Sequence, residues 1–294
     1  MDHKRLVAQP GEAVRLPEHD PAFTGEYVDE RAAQASIAEG RTRLARAQDL
    51  LFANQSWTLL IVFQAMDAAG KDETIEAVIS SMDPQGCSVA SFKEPGGKEL
   101  QHDYLWRFVQ ALPERGQVGV FNRSYYEEVT SSRVHPEKLA EQHLPEATRE
   151  SPAIWDQRFR QINDFERYLV ENGILVLKFF LHVSKEKQRE RLLERITSEE
   201  QRWQFSWSDI EDRRRWDEFM AVYEDTLSAT STPWASWHII PSDHRWYSAL
   251  VVADLVAQTI ESLNLSYPNG DAEEQQTRAE AQALLEDEQR AADG

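Results

Sequence analysis

The stretch from Ile61 to Ile75 constrains this chain more than any other: Ile-Val-Phe-Gln-Ala-Met-Asp-Ala-Ala-Gly-Lys-Asp-Glu-Thr-Ile. An apolar run from Trp57 to Phe63 stops at small and polar residues, and a helix-compatible pattern begins after Gly70-Lys71. The order is strand, anion-binding loop, helix. A chain that turns from a buried strand into a helix leaves free backbone N–H groups around an anion, and the helix dipole adds partial positive charge there. Lys71 brings a full charge to the same place. At about 4 Å and an effective dielectric of about 20, a unit charge pair is worth about 4 kcal/mol, against about 1 kcal/mol in water.

The loop departs from the G-x-x-x-x-G-K-[ST] pattern, with Ala65 in place of the first glycine and Asp72 after the lysine. On the motif alone, a strand-to-helix turn with a surface lysine is the alternative. Asp67 shifts the balance, because a carboxylate among phosphate-binding groups repels the ligand unless a cation lies between them. That requirement points to magnesium.

The chain has 294 residues, 41% hydrophobic and 28% charged, enough for one large domain or two small ones. Its net charge of −19 argues against a nucleic-acid surface, and any phosphate site must be built locally. A single cysteine, Cys87, excludes an intrachain disulfide and a cysteine-based zinc cluster; it reads as a small buried strand residue. Met1 to Arg5 is not followed by the apolar segment of a secretory signal, and no stretch approaches the roughly 18 apolar residues of a membrane span. The expectation is a soluble, cytoplasmic protein with no membrane partner.

Residues 1–30, with Pro10, Pro17 and Pro21, read as an extended arm. Helices are expected over Asp29 to Asn54, Glu73 to Met82, Glu99 to Leu112, Pro152 to Glu171, Ser208 to Leu227 and Ser248 to Leu263, with a further charged helix capped by Ser184. Strands are expected at Cys87 to Phe92, Val118 to Phe121, Ile174 to Leu181 and Trp237 to Ile240. This alternation predicts an α/β fold with a parallel sheet covered on both faces, ligands lying at the carboxyl ends of the strands. Asp67, Lys93, Arg123 and Asp243 all follow strands and so fall along that edge. The tail, with eight acids against two arginines from Asp271 to Asp293, reads as a frayed helix or as disordered.

Several stretches together resemble the polyphosphate kinase 2 family, in particular its class that phosphorylates AMP and ADP. They are Ala65 to Asp72, Asp83-Pro84-Gln85-Gly86, Ser91-Phe92-Lys93, Leu112 to Gly116, Phe121 to Val129, Leu177 to Lys185 and Ala229 to Pro233. The resemblance implies a P-loop kinase-like three-layer α/β/α fold with a central parallel sheet and a helical lid. The kinase domain would span residues 31–267, the lid about 184–215, and the acidic tail 268–294. It also implies reversible, magnesium-dependent phosphoryl transfer between inorganic polyphosphate and AMP, ADP or ATP. Manganese is the alternative metal, guanine nucleotides the alternative acceptors, and a dimer or tetramer the assembly.

By the same resemblance, Asp67, Lys71, Arg123 and Glu127 are the catalytic candidates, with Asp67 and Glu127 as metal ligands. Ala68, Ala69, Gly70, Asp72, Lys93, Asn122, Arg133, Lys178, Arg189, Arg191 and Arg195 are the phosphate- or nucleotide-binding candidates. Asn122 stands where other classes carry aspartate, which points to the AMP-using class and leaves Glu127 to supply the nearby carboxylate. Glu73, in place of an expected glycine, should point outward.

Each candidate has a plainer alternative. Arg123 could be a surface arginine, worth about 0–1 kcal/mol in an ion pair, whereas a transition-state arginine contributes roughly 10³–10⁵ in rate. Lys178 in an apolar strand either faces phosphate or is paired. Arg189, Arg191 and Arg195, interleaved with glutamates, either meet polyphosphate or form a solvated face. An ATP-dependent nucleotide kinase and a non-catalytic nucleotide-binding module are the rival readings of the whole chain.

Overall fold

A computed structural model describes residues 3–292. Helix α1 (Glu30–Asn54) is capped by Asp29, whose carboxylate accepts from the Ala32 N–H, and leads into β1 (Thr58–Gln64). Then follow α2 (Lys71–Ile79), β2 (Cys87–Ser91), the one-turn helix α3 (Trp106–Val109) and β3 (Val118–Asn122). Three short helices, α4 (Ser131–Val134), α5 (Pro136–Ala140) and α6 (Glu146–Arg149), precede α7 (Ile154–Glu171) and β4 (Ile174–His182). The chain continues through α8 (Lys185–Thr197), α9 (Trp207–Arg214), α10 (Trp216–Thr230), β5 (Trp237–Pro241), α11 (Arg245–Glu261) and α12 (Ala272–Ala292).

The strands form one parallel sheet in the order β2-β3-β1-β4-β5. All seven residues of β1 are buried, as a central strand covered on both faces requires. Helices α1, α2 and α11 pack together, and α7 packs on β4 and α10. Because β1 lies between β3 and β4, the loop that leaves it opens at the carboxyl edge where neighbouring connections diverge. This architecture is the expected three-layer α/β/α sandwich.

Two expected helices are interrupted. Glu99 to Leu112 contains only a 3-10 turn at Glu99–Gln101 and α3, because the Asp103 carboxylate accepts from the Leu105 N–H at 3.0 Å and makes a local turn instead. Ser208 to Leu227 breaks at Arg215 (φ −99°, ψ 23°), whose guanidinium donates to the Val134 carbonyl.

The segment from His3 is not the extended arm expected, since it carries 3-10 turns at Lys4–Leu6 and Leu16–Glu18, and it is fastened down. Val7 bridges His238 in antiparallel sense, the Ala8 N–H donates to the Trp237 carbonyl at 2.9 Å, and Leu6, Ala8, Val14 and Leu16 are buried. The tail is helical, as its Ala, Glu, Gln and Leu content favours, and its described side chains are exposed. Cys87 is half-buried with a free thiol that burial pushes up to about 11. No helix among the described residues is long and apolar enough to cross a membrane.

Candidate active site

The loop between β1 and α2 is held from behind by its carbonyls. Arg191 of α8 donates to the carbonyls of Ala68 at 3.1 Å, Ala69 at 2.8 Å, Ser242 at 2.6 Å and Asp243 at 3.0 Å. Gln188 donates to the Asp67 carbonyl at 3.0 Å, and the Ser242 hydroxyl to the Ala69 carbonyl at 2.5 Å. In a trans peptide the N–H points opposite to the C=O, so pinning these carbonyls turns the Ala68 and Gly70 amides the other way. Ala68 (φ 59°) and Gly70 (φ 100°) supply the left-handed backbone this turn needs. With the free amides of the first turn of α2, they form an anion cradle.

Lys71 lies within the cradle, buried, and donates to the carbonyls of Ala65 at 3.1 Å and Met66 at 3.2 Å. Burial lowers its pKa even though Asp67 opposes the shift. The Asp67 carboxylate is 2.5 Å from the Arg123 guanidinium. Burial alone would raise the Asp67 carboxyl, but Arg123 and Lys71 overcome it and hold it below the usual carboxylate range. Arg123 is raised in turn, first by Asp67 and then by Glu127. It sits at φ 63°, an uncommon left-handed conformation for a residue with a side chain, at the point where β3 ends. Next to it Asn122 donates to the Asp72 carboxylate at 2.6 Å and so ties β3 to the start of α2.

Glu127 is oriented by Gln64, which donates to it at 3.0 Å; the Gln64 amide oxygen is buried without a partner. Asp67, Glu127 and Arg123 share a cavity of about 160 Å³ with His135, Asp212 and Tyr223. No group of three or more His, Cys, Asp or Glu among the described residues forms a self-sufficient metal site. A divalent ion that keeps its waters and takes one or two carboxylates plus substrate phosphates does not need one. Asp67 and Glu127 fit that donor set.

A second cavity of about 250 Å³ adjoins Arg123 and Glu127, with Lys93, Lys138, Arg107 and Gln142 in its wall. A larger cavity of about 530 Å³ lies behind the loop against α1, α2 and α11; it shares Arg191 with the loop but reaches neither Asp67 nor Arg123. Glu73 is exposed and pairs with Arg245 at 3.0 Å, away from the cradle as expected.

The structure therefore brings together Asp67, Ala68, Ala69, Gly70, Lys71, Asp72, Asn122, Arg123 and Glu127, with Lys93 at the adjoining cavity. It does not bring Lys178 there. Lys178 is fully buried, 2.7 Å from Glu166, 2.8 Å from the Tyr126 hydroxyl and 2.7 Å from the Thr230 carbonyl. All three ammonium protons are engaged, so the phosphate-facing reading gives way to the paired one. Arg191 is a strut for the loop, its donors taken up by carbonyls. Arg195 of α8 pairs with Asp209 of α9 at 2.9 Å. Arg133 pairs with Asp225 at 2.5 Å and lies over Trp155 and Phe159, while Arg189 is exposed on α8.

Sequence reasoning missed Gln188, Ser242 and Gln64. Gln188 carried one signal: with Arg191 and Arg195 it occupies the face of α8 that also bears Leu192, at helical spacing. Ser242 and Gln64 carried none, because their partners are set by sheet order and by the fold of the loop.

A family model described as polyphosphate kinase 2 matches residues 27–268. An ADP-polyphosphate phosphotransferase of Rhodopseudomonas palustris is 48% identical over 226 residues, 77% of this chain and 78% of that protein. An AMP/ADP-polyphosphate phosphotransferase of Meiothermus ruber is 41% identical over 266 residues, 90% of this chain and 95% of that protein. The crystal structure of polyphosphate kinase 2 from Arthrobacter aurescens TC1 superposes with a TM-score of 0.85 at 34% identity, covering 96% of both chains. The loop and the sheet order thus stand in a P-loop kinase-like frame, and the chain belongs to the polyphosphate kinase 2 family.

Proposed function

We propose that this enzyme moves the terminal phosphoryl group of inorganic polyphosphate to AMP and ADP, reversibly and with magnesium as the resident metal. The observation that carries the reading is the Asp67–Arg123 pair at 2.5 Å beside the cradle of Lys71, since a cation and a metal-binding carboxylate then meet where donor and acceptor anions must. The terminal phosphate lies on the amides of Ala68, Gly70 and the first turn of α2, with Lys71 against it. The acceptor phosphate enters from the cavity bounded by Lys93 and Lys138.

An ionised acceptor oxygen forms the new P–O bond while the anhydride P–O bond breaks, and the shortened polyphosphate leaves with the electron pair. A phosphate monoester is largely doubly ionised at neutral pH, so no side chain has to remove a proton. Arg123 neutralises charge as it develops on the transferring oxygens, and the buried walls of Tyr223 and Met66 limit water. Asp67 and Glu127 would hold magnesium, which would supply charge neutralisation to the phosphates.

The same reading includes a cytoplasmic location and a homodimer or homotetramer, which light scattering on the purified protein would test. Incubation of purified protein with AMP, polyphosphate and magnesium, without ATP, should yield ADP and then ATP. Formation of ADP only when ATP is the donor would favour an ATP-dependent nucleotide kinase instead. Tight nucleotide binding with no turnover from either donor would favour a regulatory module.

A further inference from the structure

Arg107 lies outside every motif named above, yet it is buried and its guanidinium meets both walls of the acceptor cavity. One nitrogen donates to the Lys93 carbonyl at 2.7 Å and lies 3.5 Å from Glu99; another lies 3.8 Å from Glu128. Its plane sits against the rings of Phe108 at 4.7 Å and Phe92 at 5.6 Å. Glu128 is itself buried directly after Glu127. Its carboxylate accepts from Gln142 at 2.6 Å, and its carbonyl accepts from Arg158 at 2.7 Å.

Arg107 thus ties two stretches of the lining of one cavity, by a hydrogen bond to one and an ion pair to the other. On one side is the backbone of Lys93, whose own side chain is exposed at the cavity. On the other is the turn that carries Glu127. The segment after Lys93 contains Pro95, Gly96 and Gly97 and has one further tie to that side, Glu94 to Lys138 at 3.0 Å. Without the grip on its carbonyl, Lys93 would rest on a glycine-containing loop. A lysine so placed pays its own rotamer freedom when it meets an anion, and a mobile backbone adds to that cost.

We propose that Arg107 is a positioning residue for the acceptor: by gripping the Lys93 carbonyl it fixes the Lys93 ammonium across the cavity from Arg123 and Glu127, where the acceptor phosphate docks. The assignment of this cavity to the acceptor rests on the proposed function. The grip itself does not depend on the phosphate donor.

The test is a double-mutant cycle on AMP affinity, measured by calorimetry without a phosphate donor, for wild type, Arg107→Met, Lys93→Met and the double variant. Steady-state KM values for AMP and for polyphosphate accompany it. Each single change should weaken AMP about tenfold, or about 1.4 kcal/mol, and the double variant should be no weaker than the weaker single within a factor of about two, since both remove one function. KM for polyphosphate should stay within about twofold. Factors that multiply to about a hundredfold, or an Arg107→Met protein with wild-type AMP affinity, would overturn the proposal.

Because Arg107→Met removes one of the two cations beside Glu128, Arg158 remaining at 3.6 Å, the cycle is repeated with Arg107→Lys, which keeps the charge but not the fork that reaches both partners. The same non-additivity is expected. Since the binding readout needs no turnover, a protein inert toward polyphosphate would count against the activity reading alone, while the cycle would still decide the role of Arg107.

Discussion

The Arg123 guanidinium and the Asp67 carboxylate face each other at 2.5 Å, each attached to a backbone turn that contains a left-handed residue. On the proposed function this pair sets the transition-state cation on the carboxylate that the metal would engage, and ligand binding would exchange one cation for the other. Its consequence is a sharp split between rate and stability.

Arg123→Ala should lower kcat by roughly 10³–10⁵ while costing only about 1 kcal/mol of stability, because the pair is partly exposed and solvent screens it. Stopped assays with AMP and polyphosphate, set beside a urea titration, check both halves. A kcat within tenfold of wild type would remove Arg123 from the chemistry.

Arg191→Ala should act through the loop instead. It deletes donors to four carbonyls, of Ala68, Ala69, Ser242 and Asp243, and charged hydrogen bonds contribute about 1.5–3 kcal/mol each before relaxation. A stability loss of about 3 kcal/mol and a raised KM for polyphosphate are expected, whereas Arg189→Ala, on the exposed face, should shift stability by no more than about 0.5 kcal/mol. Equal stability losses in the two variants would contradict the strut assignment.

Lys178→Met should destabilise the fold by about 3–5 kcal/mol, the cost of stranding Glu166 in the core. Lys178→Met combined with Glu166→Gln should recover part of that loss. At temperatures where the single variant remains folded, its KM for polyphosphate should match wild type. A raised KM at unchanged stability would return Lys178 to the phosphate path.

Acid should weaken the sheet edge near β5. The His182 imidazole is lowered to about 4, first by burial and then by His19. Between the unfolded value near 6.5 and the folded value the unfolded chain binds the extra proton, so this contribution is present above about pH 6.5 and lost as pH falls toward 4. By pH 5 the loss from His182 alone is about 2 kcal/mol. His238 shifts in the same direction, also to about 4. Urea midpoints at pH 7 and pH 5 check the slope, and His182→Phe should flatten it; an unchanged slope in that variant would rule out His182 as its source.

The loop from Ala65 to Lys71 was legible because its geometry is local: strand end, glycine, lysine and helix start are consecutive, and the parallel sheet followed from alternating periodicity. Lys178 was harder. Its register opposite Trp237 and Val62 places it in mid-strand rather than at the carboxyl edge, and that depends on three strands at once. A clue was nonetheless present, since Glu166 falls on the apolar stripe of α7 between Ile162 and Leu169, where a lone carboxylate calls for a buried cation. Arg191 gave no such clue, because its carbonyl partners come from two loops that are 173 residues apart in the chain and meet only through the sheet order.

The segment that lays Val7 beside His238 also closes the outer margin of β5, where unpaired amides and carbonyls would otherwise be open to another chain. A version beginning after residue 16 would bare that margin together with the apolar ground now under Leu6 and Leu16. Such a shortened protein would be prone to stick to its own copies through strand pairing, and its solubility would fall before its chemistry did.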